Sequence, residues 1–186
     1  MRELVRLFTQ IALLRRGPQD LPASTLLLVL TIVAYLAINL LMNAIAPPPG
    51  AGSAATKAAE AALHSSFPAR LLLDTAFTLA WYVLLLRLAH RTERTLQTST
   101  AVFGFQIVLT PLLFASSWLL SVAPDPAWTL PSQLFEIIVG VWIIAANSFI
   151  VKAALEWSIG ASVAIVILQI VASLLLGRAV FYSLQG

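Results

Sequence analysis

The segment from Pro131 to Tyr182 limits the fold of this chain more than any other feature of its sequence. It runs for about 50 residues, and its charged residues are Glu136, Lys152, Glu156 and Arg178. As one α-helix it would be roughly 80 Å long, whereas the hydrocarbon core of a bilayer is only about 30 Å thick. The segment must therefore cross a membrane, turn near the charges in its middle, and cross again.

The composition agrees with a chain that lies mainly in a membrane. Of its 186 residues, 60% are hydrophobic and 10% are charged, whereas a soluble domain has about 25% charged residues. The length fits a single membrane domain over residues 1–186. The absence of cysteine excludes disulfides and thiolate metal sites. The basic residues are scattered, so we expect no nucleic-acid partner.

Residues 1–17 predict an amphipathic helix that ends at Gly17-Pro18. A basic amphipathic helix of this kind often lies flat in the membrane interface. The alternative is a helix packed on the ends of the bundle, and the sequence favours neither. The apolar side chains that follow helical spacing are Leu4, Leu7, Phe8, Ile11 and Leu14.

Five apolar segments predict five transmembrane helices, because each is long enough to cross the hydrocarbon core. The first of them resembles a signal peptide that ends at Ala44-Ile45-Ala46. We favour a retained span, because its apolar run exceeds the usual 7–15 residues, roughly, and Pro47 would follow the cleaved bond. The predicted spans are 25–46, 71–89, 99–122, 131–151 and 158–182.

The segment 47–68 predicts a flexible loop, because it is rich in Gly, Ala and Ser. A short helix over Ala54–His64 is the alternative. Pro111 lies inside the third span, where membrane helices tolerate proline.

The positive charges of the loops predict the orientation of the bundle. With a cytoplasmic N-terminus, the opposite side holds only three of the 11 Lys and Arg residues, namely Lys57, Arg70 and Arg178. Five spans then place the C-terminus in the periplasm, and we expect a bacterial inner membrane. The cytoplasmic side would hold Arg2, Arg6, Arg15, Arg16, Arg87, Arg91, Arg94 and Lys152.

Four charged residues within the spans form the first candidate site. Arg70 and Asp74 are one turn apart on the second span, and Glu136 and Arg178 reach a similar depth on the fourth and fifth. Ionisable groups in hydrocarbon are costly and often mark ion or proton sites. The alternative is a structural cluster in which Glu136 and Arg178 join the open end of the terminal hairpin. A third reading has four side chains that reach the headgroups separately.

Three amide side chains lie deeper, on three different spans: Gln106, Asn147 and Gln169. Amides between membrane helices usually form interhelical hydrogen bonds, and the alternative is a polar substrate path. His64 and His90 fall on opposite sides of the membrane, so we expect no metal site and no cofactor. A serine nucleophile is weakly supported, because His64 is the one histidine at a suitable depth.

Two segments resemble the bacterial branch of the Yip (Ypt-interacting protein) membrane family. The run Phe103-Gly104-Phe105-Gln106, followed by Pro111-Leu112-Leu113, is similar to the third span of that group. The run from Ala153 to Ser162 is similar to its short turn before the last helix. The Asp-Leu-Tyr-Gly-Pro-type motif of the eukaryotic members is missing. The resemblance implies a five-span, non-enzymatic membrane protein, without the small-GTPase partners of the eukaryotic proteins.

The sequence thus predicts an all-α, polytopic membrane bundle with five transmembrane helices and an N-terminal amphipathic interfacial helix. The predicted function is that of a scaffold or accessory subunit, without catalytic activity, in contact with lipid and with other membrane proteins or copies of itself. The alternative is a small transporter or channel component. In that case the four charged residues would bind or gate, and the three amides would line the path.

Overall fold

The computed structural model describes residues 2–15, 17–45, 54–122 and 126–182, and these residues form helices and no strands. Within these described ranges, five helices are long and apolar enough to cross a membrane, so the predicted all-α membrane bundle is confirmed. Residues 46–53, which include the last residue of the first predicted span and the start of the predicted loop, and residues 123–125 lie outside the described residues. The helices are α1 (Arg2–Ala12), α2 (Thr25–Ile45), α3 (Ala54–Leu88), α4 (Thr95–Val122), α5 (Pro126–Leu155) and α6 (Ile159–Tyr182).

The helices α2 to α6 succeed one another in alternating directions, and α4 occupies the centre. It packs against α1, α2, α3 and α5, while α6 packs against α5 and α3. We call the end at which α3 and α5 finish and α4 and α6 begin the basic end, because its loops carry Arg91 and Arg94. The sequence predicts that this end faces the cytoplasm.

Short polar residues start two of the membrane helices, and left-handed residues end two others. The hydroxyls of Ser24 and Ser158 accept hydrogen bonds from backbone amides of the first turns of α2 and α6, each at 3.3 Å, as N-caps do. The residues that end α3 and α5, His90 and Glu156, have positive φ values of 55° and 60°. The Glu156 amide donates to the Lys152 carbonyl at 2.8 Å, which closes the last turn of α5.

The third helix is longer than the sequence predicts. The structure has one continuous helix from Ala54 to Leu88 with Pro68 inside it, where the sequence predicts a loop to Pro68. A proline removes one backbone hydrogen bond, and membrane helices tolerate it. The alanine-rich start of α3 has a high helix propensity. The apolar part that can cross the membrane is Ser66–Leu88.

The apolar interior forms two clusters. The larger lies near the basic end between α1, α3, α4, α5 and α6. The smaller joins α2, α3 and α4 through Leu28, Tyr35, Leu71 and Phe103, and the rings of Tyr35 and Phe103 are 5.4 Å apart. Only 17% of the apolar window of α2 and 11% of that of α6 are buried. Most of these two helices therefore faces lipid.

The amphipathic helix α1 packs on the bundle, which agrees with the second of the two predicted placements. Ile11 is fully buried in the larger cluster, and Leu7 and Phe8 pack against it. The Phe8 ring lies against the backbone of Gly104 in α4. The side chain of Arg6 is exposed, so α1 turns its apolar face to the bundle and its basic face outward.

Candidate functional site

Asp74 carries the most unusual interaction within the membrane-spanning part of the bundle. It lies in α3, and the Ser173 hydroxyl of α6 donates a hydrogen bond to its carboxylate Oδ1 at 2.5 Å. Both side chains are half-buried. Tyr35 of α2 is close enough to interact electrostatically with Asp74. A carboxyl group and a hydroxyl from two helices thus meet about 20 Å from the basic end, at 1.5 Å per residue.

The other charged residues of the predicted cluster do not join Asp74 in one site. The side chains of Glu136 on α5 and Arg178 on α6 are exposed. In the described part of the chain they form no ion pair with each other. Arg70 is half-buried and makes a contact of its own. Glu136 and Arg178 lie where side chains can reach the headgroups of a bilayer.

The three predicted amides lie on separate helices at intermediate depth. Asn147 is 7% exposed, and its amide donates to the Ile143 carbonyl of its own helix at 3.0 Å. Gln106 and Gln169 are half-buried. None of the three makes an interhelical hydrogen bond to another described residue. Among the described residues, these three amides therefore do not form the interhelical links that amides usually form.

A group of buried hydroxyls near the basic end was not identified from the sequence. Thr98, Ser99 and Thr100 form one polar turn at the start of α4, and Tyr82 and Ser148 lie on the neighbouring helices. Their oxygens are buried without a hydrogen-bond partner among the described residues. Burial of a hydroxyl group without a hydrogen bond is costly. Together these groups make this part of the interior more polar than the surrounding apolar cluster.

The loops of the basic end are joined by an ion-pair cluster of Arg91, Arg94 and Glu156. Arg91 Nη2 lies 2.6 Å from Glu156 Oε2, and Arg94 Nη2 lies 2.7 Å from Glu156 Oε1. Arg94 Nη1 also donates to the carbonyls of Ala153 and Ala154 at 3.1 and 3.2 Å. These carbonyls end α5, where a cation is favourable. The α3–α4 loop thus holds the turn of the α5–α6 hairpin.

The same cluster lowers the pKa of Glu156, which lies between two spans. The hydrogen bond from Arg94, followed by the charges of Arg91 and Arg94, lowers the pKa of Glu156 below its ordinary value of 4.5. A lowered pKa means that the ionised carboxylate is favoured in the folded protein. Glu156 is therefore ionised at neutral pH and carries the charge that pairs with the two arginines.

Part of this arrangement could have been found by counting residues from the helix ends. Ser173 lies as far after Ile159, the first residue of α6, as Asp74 lies before Leu88, the last of α3. Antiparallel helices with one common end place such residues at equal depth. The ion-pair cluster could have been predicted in a similar way, because Glu156 and the loop with Arg91 and Arg94 fall on the same predicted side of the membrane. The contact between the Phe8 ring and Gly104 cannot be predicted by counting residues in this way.

Comparison of the chain with protein-family models, curated proteins and solved structures gives no match. The resemblance to the Yip family therefore stays a prediction from Phe103-Gly104-Phe105-Gln106 and the turn before α6. The functional argument depends on the geometry of the bundle itself.

We predict that Arg94→Ala destabilises the bundle more than Arg91→Ala. Arg94 caps two carbonyls of α5 in addition to its ion pair, and charged groups at a helix end contribute up to about 2 kcal/mol. Arg91 contributes only an exposed ion pair, which is usually weak. The measurement is unfolding of the purified protein by SDS in mixed micelles, followed by tryptophan fluorescence. Equal losses from the two variants would contradict the capping role of Arg94.

We also predict that the bundle loses stability in acid through Glu156. Because its pKa is lowered in the folded state, its contribution is complete above its unfolded pKa. The contribution is lost as the pH falls through the folded value. Acidification below the ordinary carboxyl range should therefore lower the SDS concentration at mid-unfolding. Glu156→Gln should reduce this dependence, and a dependence as steep as that of the wild type would contradict the assignment.

Proposed function

We propose that the chain is a non-enzymatic integral membrane protein that acts as a scaffold or accessory subunit of a membrane complex. The observation that supports this function is the solid packing of the bundle near the basic end. The side chains there come from four helices and are 0% exposed, so this half of the bundle is closed. They are Ile11, Leu86, Ala101, Phe105, Ala146 and Ile150. A well-packed interior moves little and suits a protein that holds others in place.

The connections at the same end support a rigid body. The ion-pair cluster of Arg91, Arg94 and Glu156 ties the α3–α4 loop to the α5–α6 turn. The Gln97 amide donates to the Leu21 carbonyl at 2.7 Å, which fixes the segment that leads into α2. In the orientation that the positive charges of the loops predict for a bacterial inner membrane, this end presents a fixed shape to the cytoplasm.

The exposed face of α5 is the surface that we propose for contact with a partner membrane protein. Ile137, Ile138 and Val141 are more than 60% exposed, and Trp142 is 41% exposed. Tryptophan is enriched at the two interfaces of a membrane, whereas Trp142 lies about 20 Å from the basic end, well inside the span. A helix of another membrane protein would shield this ring from the lipid tails.

The test is photocrosslinking in membranes with a photoreactive amino acid at single positions. We expect Val141 on α5 to give one discrete protein adduct. Leu174 on α6 is equally exposed, at 63% against 61%, and serves as the matched control for lipid contact. Ile150, which is fully buried, should crosslink only within the chain. Lipid adducts alone at Val141, together with a lone monomer in mild detergent, would contradict the scaffold function.

A transporter or channel component is the second candidate, and two observations favour it. Asp74 is an ionisable residue within a span, and the buried hydroxyls of α4 give the interior a polar region. The closed packing near the basic end opposes an open path in this conformation. Measurement of ion flux into proteoliposomes separates the two functions. Asp74→Asn is the test variant, and Glu136→Gln, whose side chain is exposed, is its control. Flux that requires Asp74 would favour transport.

A further inference from the structure

The basic end carries more positive charge than its own carboxylates neutralise. Among the side chains that the structure describes there, six are cationic and three are acidic. Glu156 is shared by two arginines, so even the ion-pair cluster keeps one positive charge. The remaining charge is available to an anionic partner outside the chain. The cationic residues are Arg6, Arg15, Arg87, Arg91, Arg94 and Lys152, and the acidic residues are Asp20, Glu93 and Glu156.

Arg87 and Lys152 lie at the height where two membrane helices end. They belong to the last turns of α3 and α5, and their side chains are exposed. Within the described ranges neither takes part in an ion pair. The candidate spans of α3 and α5 end at Leu88 and Leu155, so both cations lie where a bilayer has its headgroups.

Large apolar side chains are exposed next to these cations. Leu88 directly follows Arg87 and is 71% exposed, and Trp157 lies just after α5 and is 39% exposed. Tryptophan is enriched at the membrane interface, where its ring contacts the upper acyl chains. A phospholipid combines a headgroup phosphate with apolar chains, so it matches both kinds of side chain. A soluble anion would match the cations alone.

The opposite end has no such excess of charge. Among the described side chains that lie about 20 Å or more from the basic end, the cations Arg70 and Arg178 are equal in number to the carboxylates Asp74 and Glu136. A zwitterionic lipid carries no net charge and suits either end. An anionic lipid is attracted by clustered Lys and Arg residues. Charge complementarity therefore favours an anionic headgroup, and only at the basic end.

We propose that the basic end binds anionic phospholipids in preference to zwitterionic ones. The side chains of Arg87 and Lys152 contact the headgroups, while Leu88 and Trp157 lie between the upper parts of the acyl chains. These lipids surround the ends of α3, α5 and α6, since α6 packs against both of the other helices. The lipid preference is independent of the scaffold function and of the leaflet that the basic end faces.

Fluorescence quenching in liposomes measures this preference with the full chain. The chain has no cysteine, so the variant Ile159→Cys can carry a single bimane fluorophore at the start of α6. The liposomes contain equal parts of phosphatidylglycerol and phosphatidylcholine, with brominated acyl chains on one lipid or on the other. We expect several-fold stronger quenching by brominated phosphatidylglycerol, because each cation near an anionic surface favours binding about fivefold. High salt should reduce the difference, because it screens exposed charges.

Matched variants separate this binding from a general effect of charge. Arg87→Gln combined with Lys152→Gln should bring the two quenching efficiencies close together. Arg178→Gln removes an exposed cation at the opposite end and should leave the difference unchanged. A fluorophore at Leu134, which is 50% exposed against 52% for Ile159, should be quenched equally by both lipids.

Three results would overturn the proposal. The first is equal quenching by the two lipids at Ile159, and the second is a preference that persists after substitution of Arg87 and Lys152. The third is a preference of the same size at Leu134, which would mean that the whole bundle, and not its basic end, attracts the anionic lipid.

Discussion

Gly104→Val is expected to displace α1 from the bundle. A Cβ atom at position 104 would overlap the ring of Phe8, and the two methyl groups of valine make the overlap too large for a small rotation of that ring. Ile11, one turn further along α1, is fully buried and would leave its site with the helix. Overpacking of this kind typically costs about 1–3 kcal/mol. We therefore expect α1 to detach while the five membrane helices remain assembled.

The absence of cysteine from the chain makes this displacement easy to follow. A single cysteine at Ile11 should be protected from a maleimide reagent in the parent protein and labelled in the Gly104→Val background. Gly140→Val is the matched control, because a Cβ atom at Gly140 meets no atom within 4 Å. Phe8→Ala should restore protection in part by making room for the valine. Equal protection in both valine variants would show that Phe8 moves aside at little cost.

The membrane architecture could be predicted from the sequence because length and hydropathy leave few choices. The segment Pro131–Tyr182 had to turn once, and the structure turns it between Leu155 and Ile159. The start of α3 is harder to predict, because the sequence favours a loop that ends at Pro68. In a membrane helix the loss of one backbone hydrogen bond at a proline is tolerated, so the alanine-rich segment before it continues as helix.

The candidate site could be predicted only in part. The sequence predicts a role for Asp74 because a carboxylate within a span is rare, but it predicts a charged partner for this residue. Its hydrogen bond comes from Ser173, a residue too common in membrane helices to be noticed by type. Glu136 and Arg178 share a similar depth yet are exposed on the surface of the bundle. Depth follows from counting along a helix, whereas the direction of a side chain depends on how each helix is rotated.

The hairpin of α5 and α6 is held together at its turn, whereas one of the predicted arrangements joins Glu136 and Arg178 at its open end. Glu156 meets Arg91 and Arg94 in the loops of the basic end. Loop side chains can reach one another there without leaving water or the headgroups. The cost of placing charges in hydrocarbon thus favours an ion pair at the turn over one between helices.

Leu86→Ala is expected to destabilise the bundle strongly, while Leu84→Ala is expected to have little effect. Both residues lie on α3 and undergo the same substitution, so the change in helix propensity is the same. Leu86 is 0% exposed and belongs to the larger apolar cluster, whereas Leu84 is 55% exposed. Removal of a buried leucine leaves a cavity and typically costs about 2–5 kcal/mol. Unfolding by SDS in mixed micelles measures both losses.

The two substitutions differ in their expected loss of stability because lipid replaces the contacts that the shortened side chain at position 84 loses. Lipid tails are as apolar as leucine, so a shortened side chain on the lipid-facing surface exchanges protein contacts for lipid contacts at little cost. Lipid cannot enter the closed packing around Leu86, and its neighbours lose their contacts outright. A large loss from Leu84→Ala would mean that its face is also packed. If Leu84→Ala destabilises the protein in membranes but not in detergent micelles, a partner helix or a second copy of the chain packs against α3 in the membrane.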